Sequence, residues 1–334
     1  MRMKPLLFLH IGTHKTGSTA IQRALPVGGA AALKAGLVRL DIHGDVARAN
    51  WTEDDARTLR ASLAGQIVPG VSRYLLTCEG FSGDPLRGYA NAPIAAARLR
   101  AATADFDVRV VVFLRRQDDF LESIYTQLIH QGGSQSFADF LHSLPAGGPD
   151  WQRLLDTYAA EFGRDHLIVR RYHAAFYPRP ESLLEDVCTL LGISTSALVK
   201  ADATPNQGYS HEAQELARIC NPHLDEAGRR QLRQLLQKIS PKPVFQSYAY
   251  LDLAGRRALL AACAESNAAV AREFFQGEPL FPEPEDAATA AASSEPLVAT
   301  LVKMLLERQR GSRLVRLAGK IDRALGALRP SAQP

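Results

Sequence analysis

Residues 6–11 (Leu6-Leu7-Phe8-Leu9-His10-Ile11) form a short, largely apolar run bounded by Pro5 and Gly12. They lead straight into Gly12-Thr13-His14-Lys15-Thr16-Gly17-Ser18-Thr19. A run apolar on consecutive positions is the pattern of a strand buried on both faces, as in a parallel sheet. Helical character resumes from about Ser18 to Leu25, and Pro26-Val27-Gly28-Gly29 interrupts it. Buried strand, glycine-containing loop and helix in that order call for a layered α/β domain with the loop at the carboxyl edge of the sheet. The apolar run is too short for a secretory core segment and is followed by no small-residue cleavage site, so it is expected to stay within the fold.

The same alternation continues along the chain. Helix is expected over 52–67 with Thr52 as cap, over 95–103, over 117–130 and over 151–162. Strands are expected at 74–77, at 108–114 and at 167–169. From Glu181 onward the pattern is mostly helical, broken near Thr204-Pro205-Asn206-Gln207-Gly208, Asn221-Pro222 and Pro241-Lys242-Pro243. The expected fold class is α/β, a P-loop-type, mainly parallel sheet flanked by helices, with a helical C-terminal part. The expected organisation is one domain over 1–282, an Ala/Ser/Glu/Pro-rich linker over 283–296 and a basic amphipathic helical tail over 297–330.

Charge narrows the function classes. Eight of the 39 Lys/Arg and two of the 35 Asp/Glu lie in 297–334, a net of +6, which leaves −2 for residues 1–296. A nucleic-acid binder needs a basic face on its folded part, so nucleic acid is not an expected partner. In the tail, Leu314, Leu317, Ile321, Leu325 and Leu328 make an apolar stripe flanked by Arg313, Arg316, Lys320 and Arg323. That pattern suits peripheral membrane contact or self-association. No apolar stretch reaches bilayer-spanning length. The four cysteines (Cys78, Cys188, Cys220, Cys263) have no metal or redox spacing, which suits a reducing compartment. The expected location is the cytoplasm, at the inner membrane face if the tail binds lipid.

The loop carries the chemistry. Glycines let successive N–H groups turn toward one anion, Lys15 adds positive charge, and Thr16, Ser18 and Thr19 add hydroxyls. A nucleotide-triphosphatase loop places lysine directly after its second glycine. Here Gly12 and Gly17 have that loop's separation, but Ser18 stands at the lysine position and Lys15 lies two residues before Gly17. The segment from His10 to Gln22 instead resembles the 5′-phosphosulfate loop of sulfotransferases, especially bacterial members related to the Golgi carbohydrate enzymes. That resemblance implies 3′-phosphoadenosine 5′-phosphosulfate (PAPS) as donor and adenosine 3′,5′-bisphosphate as product, with no metal required. It also implies that Lys15, Thr16, Gly17, Ser18 and Thr19 hold the 5′-phosphosulfate.

A second segment, Val110–Ser123, is a strand ending in Arg115-Arg116 that runs into a helix. An arginine fork with a hydroxyl eight residues on suits a phosphate monoester. It resembles the family's 3′-phosphate motif, which implies that Arg115 and Ser123 grip the 3′-phosphate, with Arg116 the alternative if the register moves by one. Glu79, directly after the second expected strand, is the expected general base and His14 its competitor. Arg170, Arg171 and Tyr172 could reach nucleotide or acceptor, while Asn206 and Ser210 resemble a turn and helix cap seen in bacterial relatives. The expected activity is sulfuryl transfer from PAPS to a hydroxyl, or less readily an amine, of a glycan, lipid or small-molecule acceptor. The rivals are an atypical P-loop kinase and a non-catalytic nucleotide-binding or interaction protein of the same fold.

Overall fold

The apolar opening run folds as strand β1 (Leu6–His10), followed by helix α1 (Ser18–Ala24) and a short strand β2 (Val38–Leu40). Next come α2 (Glu53–Gly65), β3 (Arg73–Thr77), α3 (Ala92–Ala102) and β4 (Asp107–Arg115). Helices α4 (Gln117–His130), α5 (Phe137–Ser143) and α6 (Trp151–Phe162) precede β5 (Leu167–Tyr172). The remainder is helical: α7 (Ser182–Leu191), α8 (His211–Cys220), α9 (Glu226–Ile239), α10 (Leu253–Ala262) and α11 (Ala264–Phe274). The computed structural model describes residues 4–25, 33–42, 46, 50–145, 148–179, 181–199, 208–242, 248 and 250–285. The interruption at Pro26–Gly29, the Thr204–Gln207 part of the first expected break, Asn206 itself, most of the 283–296 linker and the whole 297–330 tail lie outside those residues.

Every neighbouring pair in the sheet is parallel, and the order is β2-β3-β1-β4-β5. Leu7, Leu9, Val110 and Val112 are fully buried, as strands covered on both faces require. The chain leaves β1 toward β2 and β3 on one side and later returns to β4 on the other. The crevice outside the carboxyl end of β1 is therefore the topological switch point, where open α/β sheets place their ligands. Two expectations change in detail. Strand β2 is an additional edge strand of three residues, too short to show a period, and β5 extends to Tyr172, so Arg170 and Arg171 lie within it.

The chain divides into two compact units. The first comprises Met1–Phe120, Leu144–Ala203 and Arg257–Glu283 and contains the whole sheet; the second takes in Leu121–Ser143 and Thr204–Arg256. In the first, α6 packs on α3 and α11, and α1 packs on α7. The Thr52 cap expected for α2 is present as a reciprocal capping box with Asp55. In the second, Glu122 is a buried hub. Its carboxylate accepts from Arg256 Nη2 at 2.6 Å and from the amides of Tyr248, Tyr250 and Leu251 at 3.0–3.2 Å. Its charge is thus met on all sides, as burial demands. Ser210 caps α8 by accepting from the Ala213 amide. All four cysteines are free thiols, three of them buried. Among the described residues no helix is long and apolar enough to cross a membrane.

Two positions near the end of β1 are sensitive. Gly17 caps α1 at φ 85°, and a Cβ there would fall 2.6 Å from Leu183 Cδ2 and 3.3 Å from the Tyr172 ring. Gly17→Ala should therefore cost about 1–3 kcal/mol in urea unfolding, from left-handed strain and crowding together. His10 is buried, its Nδ1 2.8 Å from Thr77 Oγ1 and its ring edge-on to Phe113. Burial lowers its pKa from 6.5 to about 4. Between those values the unfolded chain binds the extra proton, so stability is full above the unfolded value and falls as pH drops through this window. Urea titrations at pH 7.5 and 4.5 should differ by up to about 3 kcal/mol more in the wild type than in His10→Gln.

Candidate functional site

The Gly12–Thr19 loop, Glu79 and Arg115 follow or end three adjacent strands. β1 and β3 end level with each other at the His10–Thr77 pair, and β4 runs four residues past Val111, the other partner of His10, which is about 13 Å of strand. The loop turns through left-handed backbone at Gly12 (φ 56°), Lys15 (φ 66°) and Gly17 (φ 85°). A lysine in that conformation costs about 1 kcal/mol, a strain that loops retain where the backbone direction matters. Thr13 Oγ1 donates to Phe113 O at 2.7 Å, tying the loop to β4, and Thr16 Oγ1 donates back to Thr13 O at 2.5 Å.

Of the three hydroxyls expected to serve an anion, the Thr16 proton is thus engaged inside the loop, and Thr19 is exposed. Ser18 differs. It is 4% exposed, and among the described residues its Oγ has no hydrogen-bond partner. Leaving a buried hydroxyl unpaired costs about 1–3 kcal/mol, which a ligand oxygen would recover. Gly17 gives α1 no side-chain cap. A Cβ on Gly12 would lie 3.0 Å from Ser18 Oγ and 3.4 Å from Glu79 Cα. The glycine is what lets the loop, Ser18 and the end of β3 meet, and these residues fit a phosphosulfate by their chemistry.

Arg115 reaches this loop from β4. Its Nη1 donates to Lys15 O at 2.9 Å, and its guanidinium stands 5.9 Å from the Tyr172 ring centre. Among the described residues no carboxylate forms an ion pair with it. Its neighbours are spoken for. Arg116 is buried in a bidentate pair with Asp118 at 2.7 and 3.0 Å. Arg170 pairs with Asp186, and Arg171 pairs with Glu278 between the rings of Phe176 and Phe275. Of the β5 residues, Tyr172 is the one set against the loop, beside Gly17. Ser123 is buried on α4 within the second unit, and its pairing with Arg115 stands on sequence spacing.

Glu79 opens a 3-10 turn (Glu79–Ser82) directly after β3, with Ser82 Oγ donating to Glu79 O at 2.8 Å. His14 is half-buried in the loop. Burial lowers its pKa most, Glu79 and Asp84 pull it upward, and Lys15 pushes it down again. Sequence reasoning missed two residues here. Tyr89 is 4% exposed and holds its hydroxyl 3.4 Å from both the amide N and Nδ1 of His14. Trp151 is fully buried, donates from Nε1 to Arg115 O at 3.0 Å, and packs on the Tyr89 ring. The turn ahead of Tyr89 carries Pro85 and Gly88, but nothing in their spacing points to the loop.

No protein-family model matches the sequence, and neither does any curated protein. Among solved structures the fold is similar to that of a sulfotransferase from Alicyclobacillus acidocaldarius, at 15% identity and a TM-score of 0.38, covering 69% of this chain and all of that one.

Proposed function

We propose that the chain is a sulfotransferase that uses PAPS to sulfate a hydroxyl, or less readily an amine, of a glycan, lipid or small molecule. The observation that carries this reading is Arg115, a half-buried guanidinium held against the Gly12–Thr19 loop with no carboxylate partner among the described residues. A positive fork beside a separate anion loop suits a ligand with two anionic groups. The loop lacks the lysine after its second glycine that a triphosphatase uses, which weighs against a kinase.

On this reading Lys15, the amides from Gly17 to Thr19 and Ser18 Oγ bind the 5′ end of the donor, and Arg115 binds the 3′-phosphate. PAPS supplies an activated sulfuryl group on a phosphate leaving group. Lys15 balances charge on that phosphate, and Glu79 takes the acceptor's proton.

Adenosine 3′,5′-bisphosphate should raise the melting temperature of the full chain, while ATP with Mg²⁺ should not; the reverse result would replace this reading with a kinase. Arg115→Ala should weaken bisphosphate binding about 10- to 100-fold, the value of one charged hydrogen-bonding group. With labelled PAPS and extract from the source cell as acceptor, Glu79→Gln should lower turnover about 10²- to 10⁴-fold while leaving bisphosphate affinity near that of the wild type.

A further inference from the structure

Tyr89 is unusual in three respects. It is one of three non-glycine residues with positive φ among the described residues, at 63°. Its ring is buried against Phe120 and Trp151, with centroids 6.2 and 6.0 Å away. Its hydroxyl nevertheless meets His14 twice, at the amide and at the ring Nδ1, each at 3.4 Å. A tyrosine held in left-handed backbone costs about 1–2 kcal/mol, and the aromatic packing fixes where that strain delivers the hydroxyl.

The proton count then constrains His14. The amide N–H can only donate, so the phenol oxygen accepts from it. Burial keeps the phenol protonated by raising its pKa far above the usual value. His14 Nδ1 stands 3.4 Å away as an acceptor for its one proton, and a neutral imidazole that accepts at Nδ1 carries its own proton on Nε2. Ser82 is the competing acceptor, because its side chain is also within reach of the phenol. If the phenol donated to Ser82, Nδ1 would hold the ring proton and Nε2 would be a free base.

We propose that Tyr89 is a positioning residue that holds neutral His14 as the Nε2–H tautomer. His14 then offers a hydrogen-bond donor at Nε2, and uptake of the acceptor's proton falls to Glu79. The role assigned to Glu79 rests on the sulfotransferase reading; the tautomer does not. Lowering of the His14 pKa by burial keeps the ring neutral and works in the same direction.

The test is a two-bond ¹H–¹⁵N correlation spectrum of the histidine rings in the ligand-free full chain near neutral pH. His14 is identified among the nine histidines as the signal lost in His14→Gln. The expected wild-type pattern is Nε2–H. Tyr89→Phe, which keeps the ring and its packing, should populate Nδ1–H and move the His14 titration upward, while Ser82→Ala should leave the tautomer as it is. An Nδ1–H pattern in the wild type, or a Ser82→Ala variant that switches tautomer, would overturn the assignment. The wild-type spectrum can overturn the assignment even if Tyr89→Phe folds poorly, and it needs neither donor nor acceptor, so it stands apart from whether the chain transfers a sulfuryl group. In transfer assays His14→Ala should lose about 100-fold, and His14→Gln, which keeps an N–H donor at the corresponding reach, should lose at most about tenfold. Equal losses would mark His14 as the base.

Discussion

The constraint on which the rest depends is the placement of β1 between β3 and β4 in a fully parallel ladder. A strand buried on both faces cannot spend polar residues along its length, so its chemistry must come at its end. Parallel neighbours make that end a shared one: three strands stop at the same edge, and whatever follows each is delivered to one crevice. Register makes this specific. His10 pairs with Thr77 on one side and Val111 on the other, so the loop and the Glu79 turn start from nearly the same level, while β4 runs four residues further and brings Arg115 alongside Lys15.

Holding those three ends in place is the work of groups that make no claim to chemistry themselves. Thr13 anchors the loop to Phe113 O, Trp151 anchors Arg115 O, and Tyr89 sits between the Trp151 ring and His14. Thr13 and Tyr89 both hold the loop after β1, Trp151 holds the end of β4, and the rings of Tyr89 and Trp151 pack in one cluster with Phe120. Moving one would shift the others, because buried aromatic contacts have little room to relax. The loop itself keeps its polar groups only partly satisfied, at Ser18 above all. A rigid frame around an incompletely paired loop is the arrangement expected of a binding site, where the ligand completes the pairing.

How legible this was in the sequence differs by residue. The Gly12–Thr19 loop and the strand ending at Arg115 were readable because the signal is local: a continuous apolar run, then glycine or arginine. Helix α4 was readable to its bounds because Phe120, Leu121, Ile124, Leu128 and Ile129 keep a helical period. Strand β2 was not, since three residues at an edge are shorter than any period, and the reach of β5 was hidden because Arg170 and Arg171 interrupt its apolar pattern. Tyr89 and Trp151 were illegible for a different reason. Their partners lie 75 and 36 residues away in the chain, and a buried aromatic looks the same in sequence whether it fills a core or steers a site. His10 was overlooked inside an apolar run, where one polar residue reads as an interruption although it is buried against Thr77.

The arginines at the ends of β4 and β5 show what sequence spacing alone leaves undecided. Four basic residues, Arg115, Arg116, Arg170 and Arg171, occupy two adjacent strand ends, and any of them could serve an anion. Their partners separate them. Arg116, Arg170 and Arg171 each face a carboxylate, and a charge neutralised in place has little left for a ligand. Arg115 instead donates to a backbone carbonyl, which orients the guanidinium without cancelling its charge. Because that carbonyl belongs to Lys15, the same contact that aims the arginine also fixes the left-handed turn of the loop. The guanidinium at one strand end and the backbone of the neighbouring loop are therefore joined directly by one hydrogen bond, beside those that Thr13 and Thr16 make.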